Sequence, residues 1–421
     1  MRIVFLHQNM PGQFVHLARH FARQPGNEVV FLTKPNKAQM QGVRKVEYEP
    51  FPHNGKGPPH RWLGTLQNGV QHGLAVARKL LDMRREGFRP DIIVAHPGWG
   101  EALYAKDVFP EVPLLNYYEF FYHPFGADTF FDPAEEVRPE DIYRIRTKNT
   151  VNLLSLDAGD WGLSPTWWQW RQHPPAYRPR ISVIHDGVDT RTVRPDPAAT
   201  LTLPDGRVLS RQDEVITYVS RSLEPYRGFP TYMKALEILS RERPHAQFIV
   251  VGNQEGVSYG RRAPDGTSYK EMMLKEVTVD HDRVHFLGNV PYPTFLKILQ
   301  VSSAHIYLTV PFVLSWSLIE ALAAECLVIG SNTPPVAEVI EDGVNGLLAY
   351  FFSPDEVAER VIEGLENRER SDELRRRARR TVLERYDLVK CLPAQLRLID
   401  DIIHRRQPQP GLAPRPAMAV A

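Results

Sequence analysis

Cysteine is scarce: Cys326 and Cys391 are the only two in 421 residues. Both sit among apolar neighbours, which excludes a cysteine-ligated zinc site and suits the reducing cytoplasm. No apolar run reaches the roughly 18 residues that a membrane-crossing helix needs. The opening MRIVFLHQNM turns polar too early for a secretory leader. Net charge is missing too. The 51 Lys and Arg nearly cancel 50 Asp and Glu, a formal +1, which argues against nucleic acid as a partner. There is no G-x-G-x-x-G fingerprint, no G-x-S-x-G elbow and no convincing Cys–His pair, so the marks of a bound dinucleotide cofactor and of a protein nucleophile are absent.

What the chain does have is apolar content, 43% of its residues, enough for two domains with separate cores. Residues 2–6 read as a buried strand, followed by the loop HQNMPGQF, an amphipathic helix and a second strand at 28–32. That order opens a doubly wound α/β domain, whose ligands sit at the carboxyl edge of the sheet. The loop holds one glycine, Gly12, and can bring backbone N–H groups with Gln8, Asn9 or Gln13 to that edge. A short strand at 46–49, a flexible loop at 51–60 and a long helix over 61–86 follow. The run PDIIVAHPGWG then releases His96 and Gly98 at a strand end. A strand at 113–118 delivers Glu119 and then His123 to the same edge. Convergence of polar residues at three strand ends marks a candidate site, although loop or capping roles compete for each residue singly.

Residues 125–137 form a loop able to cover a site, and a helix spans 138–155. Trp161, Trp167, Trp168 and Trp170 cluster beside Arg171. They leave peripheral membrane contact open, with an aromatic core or interface patch as the competing reading. The stretch 195–213, rich in Pro, Asp and Arg, reads as a linker. A second α/β alternation runs from VITYVSR to LVIGS. The charged helical residues 354–386 fit a solvated face with i,i+4 pairs. A last helix spans 388–406, with Pro393 inside it, and the Pro-rich residues 407–421 read as disordered.

The chain is organised around PFVLSWSLIEALAAECLVIGSN, residues 311–332. It reads as a tight turn, a helix and a buried strand. Ser315, Trp316 and Ser317 open the helix, whose first turn offers unpaired backbone N–H groups to an anion. Glu320, one turn in, can accept two ribose hydroxyls, or merely complement the helix dipole. Upstream, Arg221 and Arg227-Gly228 leave one strand end. Two cations there fit a diphosphate, whose charge grows as a glycosidic bond breaks; the rival is surface salt bridges with Glu224. Asn253 and the pair Asn289-Val290 follow small-residue strand exits. Asp280-His281-Asp282 has a D-x-D shape but precedes a strand, at the wrong sheet edge, so a turn is expected and no metal.

These motifs resemble the donor site of retaining glycosyltransferases of family 4. Glu320-Ala321-Leu322-Ala323 and Val328-Ile329 match the second half of that family's E-x7-E signature. The first Glu position is Phe312, and the turn after it is Val313-Leu314-Ser315. Arg221 and Arg227-Gly228 resemble the family's Arg and Lys-Gly, with Arg in the Lys place, and Asp186-Gly187-Val188-Asp189 is close to its N-G-V-D. The resemblance implies an α/β GT-B fold, two Rossmann-like doubly wound domains facing a cleft. Residues 1–195 would take the acceptor and 212–385 the donor, with 386–406 packing back toward the first domain. It implies that Arg221 and Arg227 bind the diphosphate and act in catalysis. Asn253, Asn289, Val290, Ser315, Trp316, Ser317 and Glu320 would complete the donor site, with Gly12 in the first-domain loop. Glu119 stands where the family commonly offers a His. A carboxylate there alters the hold on the transferring sugar or serves as acceptor base, with His96 and His123 as rivals.

The expected activity is metal-independent, cytoplasmic transfer of a sugar from a UDP- or GDP-sugar to a hydroxyl, with retention, in glycan or polysaccharide biosynthesis. The acceptor is a glycan, a lipid-linked group or a protein, and no cofactor beyond the donor is called for. Phe312 favours one alternative, a non-catalytic nucleotide-sugar or glycan-binding protein. Glu119 with His96 leaves open another, a sugar-nucleotide epimerase.

Overall fold

The computed structural model describes residues 1–52 and 60–411. Most of the loop expected over 51–60 and the tail after Gly411 lie outside the described residues. The chain divides into two compact units, Met1–Gly187 with Leu388–Ala421, and Val188–Asp387.

In the first unit seven strands form one parallel sheet in the order β3-β2-β1-β4-β5-β6-β7. They are β1 (Arg2–Leu6), β2 (Glu28–Thr33), β3 (Val43–Glu47), β4 (Ile92–Ala95), β5 (Leu114–Tyr117), β6 (Trp161–Ser164) and β7 (Ile181–Val183). The central strands are apolar throughout because both faces are covered, as parallel sheets require. One face carries α1 (Val15–Ala22) and the C-terminal helix, whose Leu398, Ile399 and Ile402 bury with Phe5, Phe14 and Phe31. The other carries α2 (Gly64–Arg85) and α3 (Ala105–Val108), with Val76 and Leu80 against Val4, Leu6 and Ile93.

The helix expected over 138–155 is two helices, α4 (Pro139–Lys148) and α5 (Thr150–Ala158), joined at Asn149. Asn149 spends its side chain on both backbone groups of Tyr122, an anchor that the helical periodicity does not reveal. The tryptophans belong to the core side of the alternatives. On α6 (Trp167–Gln172), Trp167 and Trp168 are buried. Trp161 donates to Ser182 and Trp170 to the carbonyls of Arg178 and Ile181, and both rings are half-buried.

The second unit repeats the winding with six parallel strands in the order β12-β11-β10-β13-β14-β15. Its first two strands, β8 (Thr200–Thr202) and β9 (Val208–Ser210), stand apart as an antiparallel hairpin. This corrects the linker expected at 195–213. Leu201, Leu203 and Leu209 bury in the second core with Val193, so the first unit ends at Gly187 rather than near 195. Each three-residue strand carries one buried leucine between less buried neighbours, too short a pattern to read as sheet.

The parallel strands are β10 (Val215–Ser222), β11 (Gln247–Asn253), β12 (Val284–Gly288), β13 (Ala304–Tyr307), β14 (Val328–Ser331) and β15 (Leu347–Ala349). Helices α7 (Phe229–Glu242), α8 (Tyr269–Glu276), α9 (Tyr292–Val301), α10 (Trp316–Ala323), α11 (Pro334–Ala337), α12 (Pro354–Glu366) and α13 (Arg368–Arg385) accompany them. On α13 the arginines are not all solvated: Arg375 donates to the Ser303 carbonyl and Arg379 to those of Val193, Thr190 and Ala323. Helix α14 (Leu388–Ile403) contains Pro393 and belongs to the first unit. Residues 409 and 410 are ordered, contrary to a tail disordered from 407: their carbonyls accept from Ser182 and Val183 beside β7.

In both sheets the strand order reverses beside the first parallel strand, between β1 and β4 and between β10 and β13. Open α/β sheets bind ligands outside the carboxyl ends at such a switch point.

Candidate functional site

At the switch point of the first unit, three strand ends converge on one carboxylate. His7 follows β1, His96 follows β4 and Glu119 lies two residues beyond β5. Gln13 donates to Glu119 Oε1 at 2.7 Å, and His96 Nε2 lies 3.4 Å from Glu119 Oε2. His7 Nε2 meets Gln13 Oε1 at 2.8 Å. The tautomers follow from the other ring nitrogens. Asn9 N–H donates to His7 Nδ1 and Gly98 N–H to His96 Nδ1, so in the neutral rings the proton sits on Nε2 and points along the chain toward Glu119.

Burial pushes the Glu119 carboxyl up, but the hydrogen bonds and charge of His96, the Gln13 amide and His7 together hold it below the usual carboxylate range. Burial, with repulsion from His96, brings His7 down to about 4. The site therefore contains two rings and one anion: His7 is neutral at physiological pH, and the side chain of Glu119 is 24% exposed.

Gly12 sits within this cluster for a steric reason. Its φ is +50°, and a Cβ there would come within 2.6 Å of the His7 ring, so only glycine lets Gln13 fold over the imidazole. Gly98 caps His96. His123, the expected rival, is directed elsewhere, with Nε2 on the Gln172 carbonyl at 2.6 Å. The backbone of Glu119 is fixed as well, since its carbonyl accepts from Gln169 Nε2 at 2.7 Å.

In the second unit, Arg221 is the penultimate residue of β10 and is exposed. Arg227 follows in the turn before α7 and is only 6% exposed. Its Nη1 donates to Thr309 Oγ1 at 2.8 Å and the Val313 carbonyl at 3.2 Å, and its guanidinium lies 5.5 Å over the Tyr259 ring. Thr309 is held in turn by Ser331, which hydrogen-bonds both its backbone N–H and its carbonyl. Glu224 does not take the arginines in ion pairs. It is buried and accepts the backbone N–H groups of Ser258 and Tyr259, folding the loop after β11 down beside Arg227. Burial raises the Glu224 carboxyl above its ordinary value, partly countered by those donors and by the charges of Arg227 and Arg221.

Phe312 is 6% exposed and packs edge-on against Tyr226 and Tyr259, at 5.6 and 4.9 Å between ring centroids. The position expected to hold a carboxylate is thus part of an aromatic cluster. Glu320, on α10, accepts from the Tyr292 hydroxyl at 2.6 Å. Burial raises its carboxyl above the usual range while that hydrogen bond opposes the rise.

The expectation that Ser315, Trp316 and Ser317 all turn their N–H groups outward is corrected at Ser315. Its N–H and hydroxyl both meet Tyr307 Oη at 3.0 Å, and its hydroxyl also meets Ser317 Oγ at 2.9 Å. Asn253 is engaged locally, accepting from Glu255 N–H at 3.2 Å. Asn289 is exposed at the end of β12, and Val290 packs on the core. Asp280 closes the expected turn, accepting from Asp282 N–H and from Arg283. Among the described residues no group of three or more His, Cys, Asp or Glu is placed to hold a metal, and no helix is long and apolar enough to cross a membrane.

Sequence reasoning missed His7, Tyr292, Thr309 and Tyr259. His7 and Tyr292 carried a signal, each being the first or second polar group after a strand exit. Thr309 carried it too, as the first polar group after β13, whereas Tyr259 carried none.

Residues 25–193 match the family model for the Glycosyl transferase family 4 group, and residues 205–381 match that for Glycosyl transferases group 1. With a parallel Rossmann-like sheet in each unit, the two matches indicate a glycosyltransferase of the GT-B type. No curated protein matches the chain. Among solved structures, HepE of Anabaena in complex with UDP is 16% identical at TM-score 0.66, over 95% of this chain and 100% of that one. Sucrose-phosphate synthase of Thermosynechococcus elongatus is 15% identical at TM-score 0.69, over 96% and 100%. A glycosyltransferase of Rickettsia africae is 15% identical at 0.63, over 96% and 98%. At such identities the likeness is one of fold.

Proposed function

We propose that this protein transfers a sugar from a UDP- or GDP-sugar to a hydroxyl acceptor with retention of configuration, in the assembly of a glycan or polysaccharide. One observation carries the reading: Arg221, Arg227 and Glu320 belong to the carboxyl edge of one parallel sheet, at its switch point, inside the Glycosyl transferases group 1 match. Solved structures of the similarly folded HepE hold UDP and UDP-glucose, which supports a nucleotide-sugar donor.

In this reading the second unit binds the donor. Arg221 and the pre-oriented Arg227 take the diphosphate, and Glu320 exchanges its Tyr292 partner for ribose hydroxyls. Cations fixed before the reaction stabilise the leaving diphosphate without reorganisation as the glycosidic bond breaks. The first unit takes the acceptor, whose proton passes to the departing phosphate oxygen on the same sugar face. Glu119, anionic and backed by His96, accepts a hydrogen bond from a substrate hydroxyl. No metal is needed, because the arginines supply the countercharge. The acceptor is a glycan, lipid-linked or protein hydroxyl, and the reaction belongs to the cytoplasm.

The test is to incubate the protein with a panel of UDP- and GDP-sugars in EDTA. Slow release of nucleoside diphosphate from one donor, accelerated by a hydroxyl acceptor, is expected. Tight binding without turnover would favour the binding-protein reading that Phe312 suggests. An isomerised donor without release would make the protein an epimerase.

A further inference from the structure

The reading of Glu119 as a working carboxylate leaves unexplained the two groups behind it. Gln13 meets one oxygen of Glu119 and His96 lies by the other, while His7, whose ring packs 5.1 Å from that of His96, reaches the carboxylate through Gln13. A buried histidine can be satisfied by capping, as His7 already does for Asn9 N–H at 2.9 Å. Yet its second nitrogen is aimed at Gln13, and Gln13 uses both ends of its amide, accepting from His7 at 2.8 Å and donating to Glu119 at 2.7 Å. An amide used this way can be oriented in one sense only. His7 Nε2–H must meet the oxygen, which turns the NH₂ toward the carboxylate. The chain has direction because the Asn9 N–H fixes the ring's tautomer at its far end. The φ of +50° at Gly12, and the lack of a Cβ over the His7 ring, permit the turn that brings the Gln13 amide to His7 Nε2.

We propose that His7 and Gln13 are positioning residues, a relay that presents a hydrogen-bond donor to one oxygen of Glu119, fixes the plane of the carboxylate and directs its remaining lone pairs at the substrate. The proposal rests on Glu119 serving the transfer reaction. The groups around the carboxylate are few. His7 comes from the end of β1, Gln13 from the loop before α1, and His96 from the end of β4. The backbone carbonyl of Glu119 is held by Gln169 of α6. Tyr117 of β5 turns its hydroxyl to Asp186 at 3.1 Å, and Glu101 acts on His7 through space. Within this set only the relay and His96 donate to Glu119, so removing the relay removes one of two donors. A carboxylate that loses a donor to its charged form becomes easier to protonate.

The experiment follows the Glu119 carboxyl by carbon NMR in protein labelled at glutamate Cδ, with the resonance assigned by its loss in Glu119→Gln. Gln13→Leu and His7→Phe should each raise its titration midpoint by about one pH unit. The acidic limb of kcat/KM should move upward by the same amount, while the KM for the donor stays fixed. A merely structural role would lower the melting temperature and leave the midpoint where it was; an unchanged midpoint in both variants overturns the proposal. Should the variants fail to fold, nitrogen NMR of the intact protein decides. His7 neutral and protonated on Nε2 supports the relay, and protonation on Nδ1 contradicts it. If both midpoints rise while Glu119→Gln transfers sugar at the normal rate, the relay stands and the catalytic reading of Glu119 falls.

Discussion

Replacing Arg227 with Ala removes the best-fixed cation of the proposed donor site, and its effect can be worked from its surroundings. The guanidinium is held by Thr309 Oγ1 at 2.8 Å and the Val313 carbonyl at 3.2 Å, and lies over the Tyr259 ring. A side chain already locked this way loses little rotamer freedom when it meets a phosphate, so most of the new hydrogen bond appears as affinity. One hydrogen bond to a charged group is worth about 1.5–3 kcal/mol. The dissociation constant for UDP should therefore rise roughly 10- to 150-fold in Arg227→Ala. Arg227→Lys keeps the charge without the fork and should fall between.

Pyrophosphate serves as the control. Arg227 is assigned to the phosphates alone, so the loss for pyrophosphate should equal that for UDP. The substitution also leaves the Val313 carbonyl without this donor, at a cost to folding of about 1–3 kcal/mol, so a thermal melt must first establish that the variant is folded. Calorimetric titration then gives the constants. A folded Arg227→Ala that binds UDP as tightly as the parent would remove Arg227 from the site.

Glu320→Gln should weaken a nucleoside diphosphate far more than pyrophosphate; equal losses would contradict the ribose assignment. The same variant carries a pH signature. Burial raises the folded carboxyl above its ordinary 4.5, so ionisation costs stability once the pH exceeds that value. Glu320→Gln should gain in stability relative to the parent at about pH 7 and lose that gain near pH 4 in urea titrations; a gain confined to the acid side would refute the sign. Gly12→Ala forces a Cβ into a left-handed residue and against the His7 ring, and should cost about 2–4 kcal/mol in urea unfolding. No measurable loss would mean that the loop has another conformation.

The parallel winding was legible because its strands are long apolar runs closed by polar exits. VITYVSRS and EVVFLT announce both themselves and the edge at which their ligands lie. Arg221, Arg227 and Glu320 were legible as chemistry at that edge. Their partners were not. Tyr292 reaches Glu320 across 28 residues and Gln13 reaches Glu119 across 106, separations over which no local pattern carries information. Tyr307 looked like core, as the last residue of a buried strand, yet its hydroxyl takes the N–H that Ser315 was expected to offer. The hairpin at 200–210 hid for the opposite reason: Pro204-Asp205-Gly206 at its turn and the prolines at 195 and 197 before it read as linker, and Leu201, Leu203 and Leu209 are the leucines it buries. The tryptophans at 161–170 illustrate a general ambiguity, since the same side chains suit a membrane surface and a core, and only their hydrogen bonds inside the first unit separate the two.

The central claim is a nucleoside-diphosphate site in the second unit that works without metal. Its most direct test is calorimetric titration of UDP, GDP and ADP into the protein with EDTA present. UDP or GDP should bind at micromolar concentration, and excess EDTA should change nothing. Absence of binding by all three, or binding that appears only when a divalent cation is restored, would contradict it.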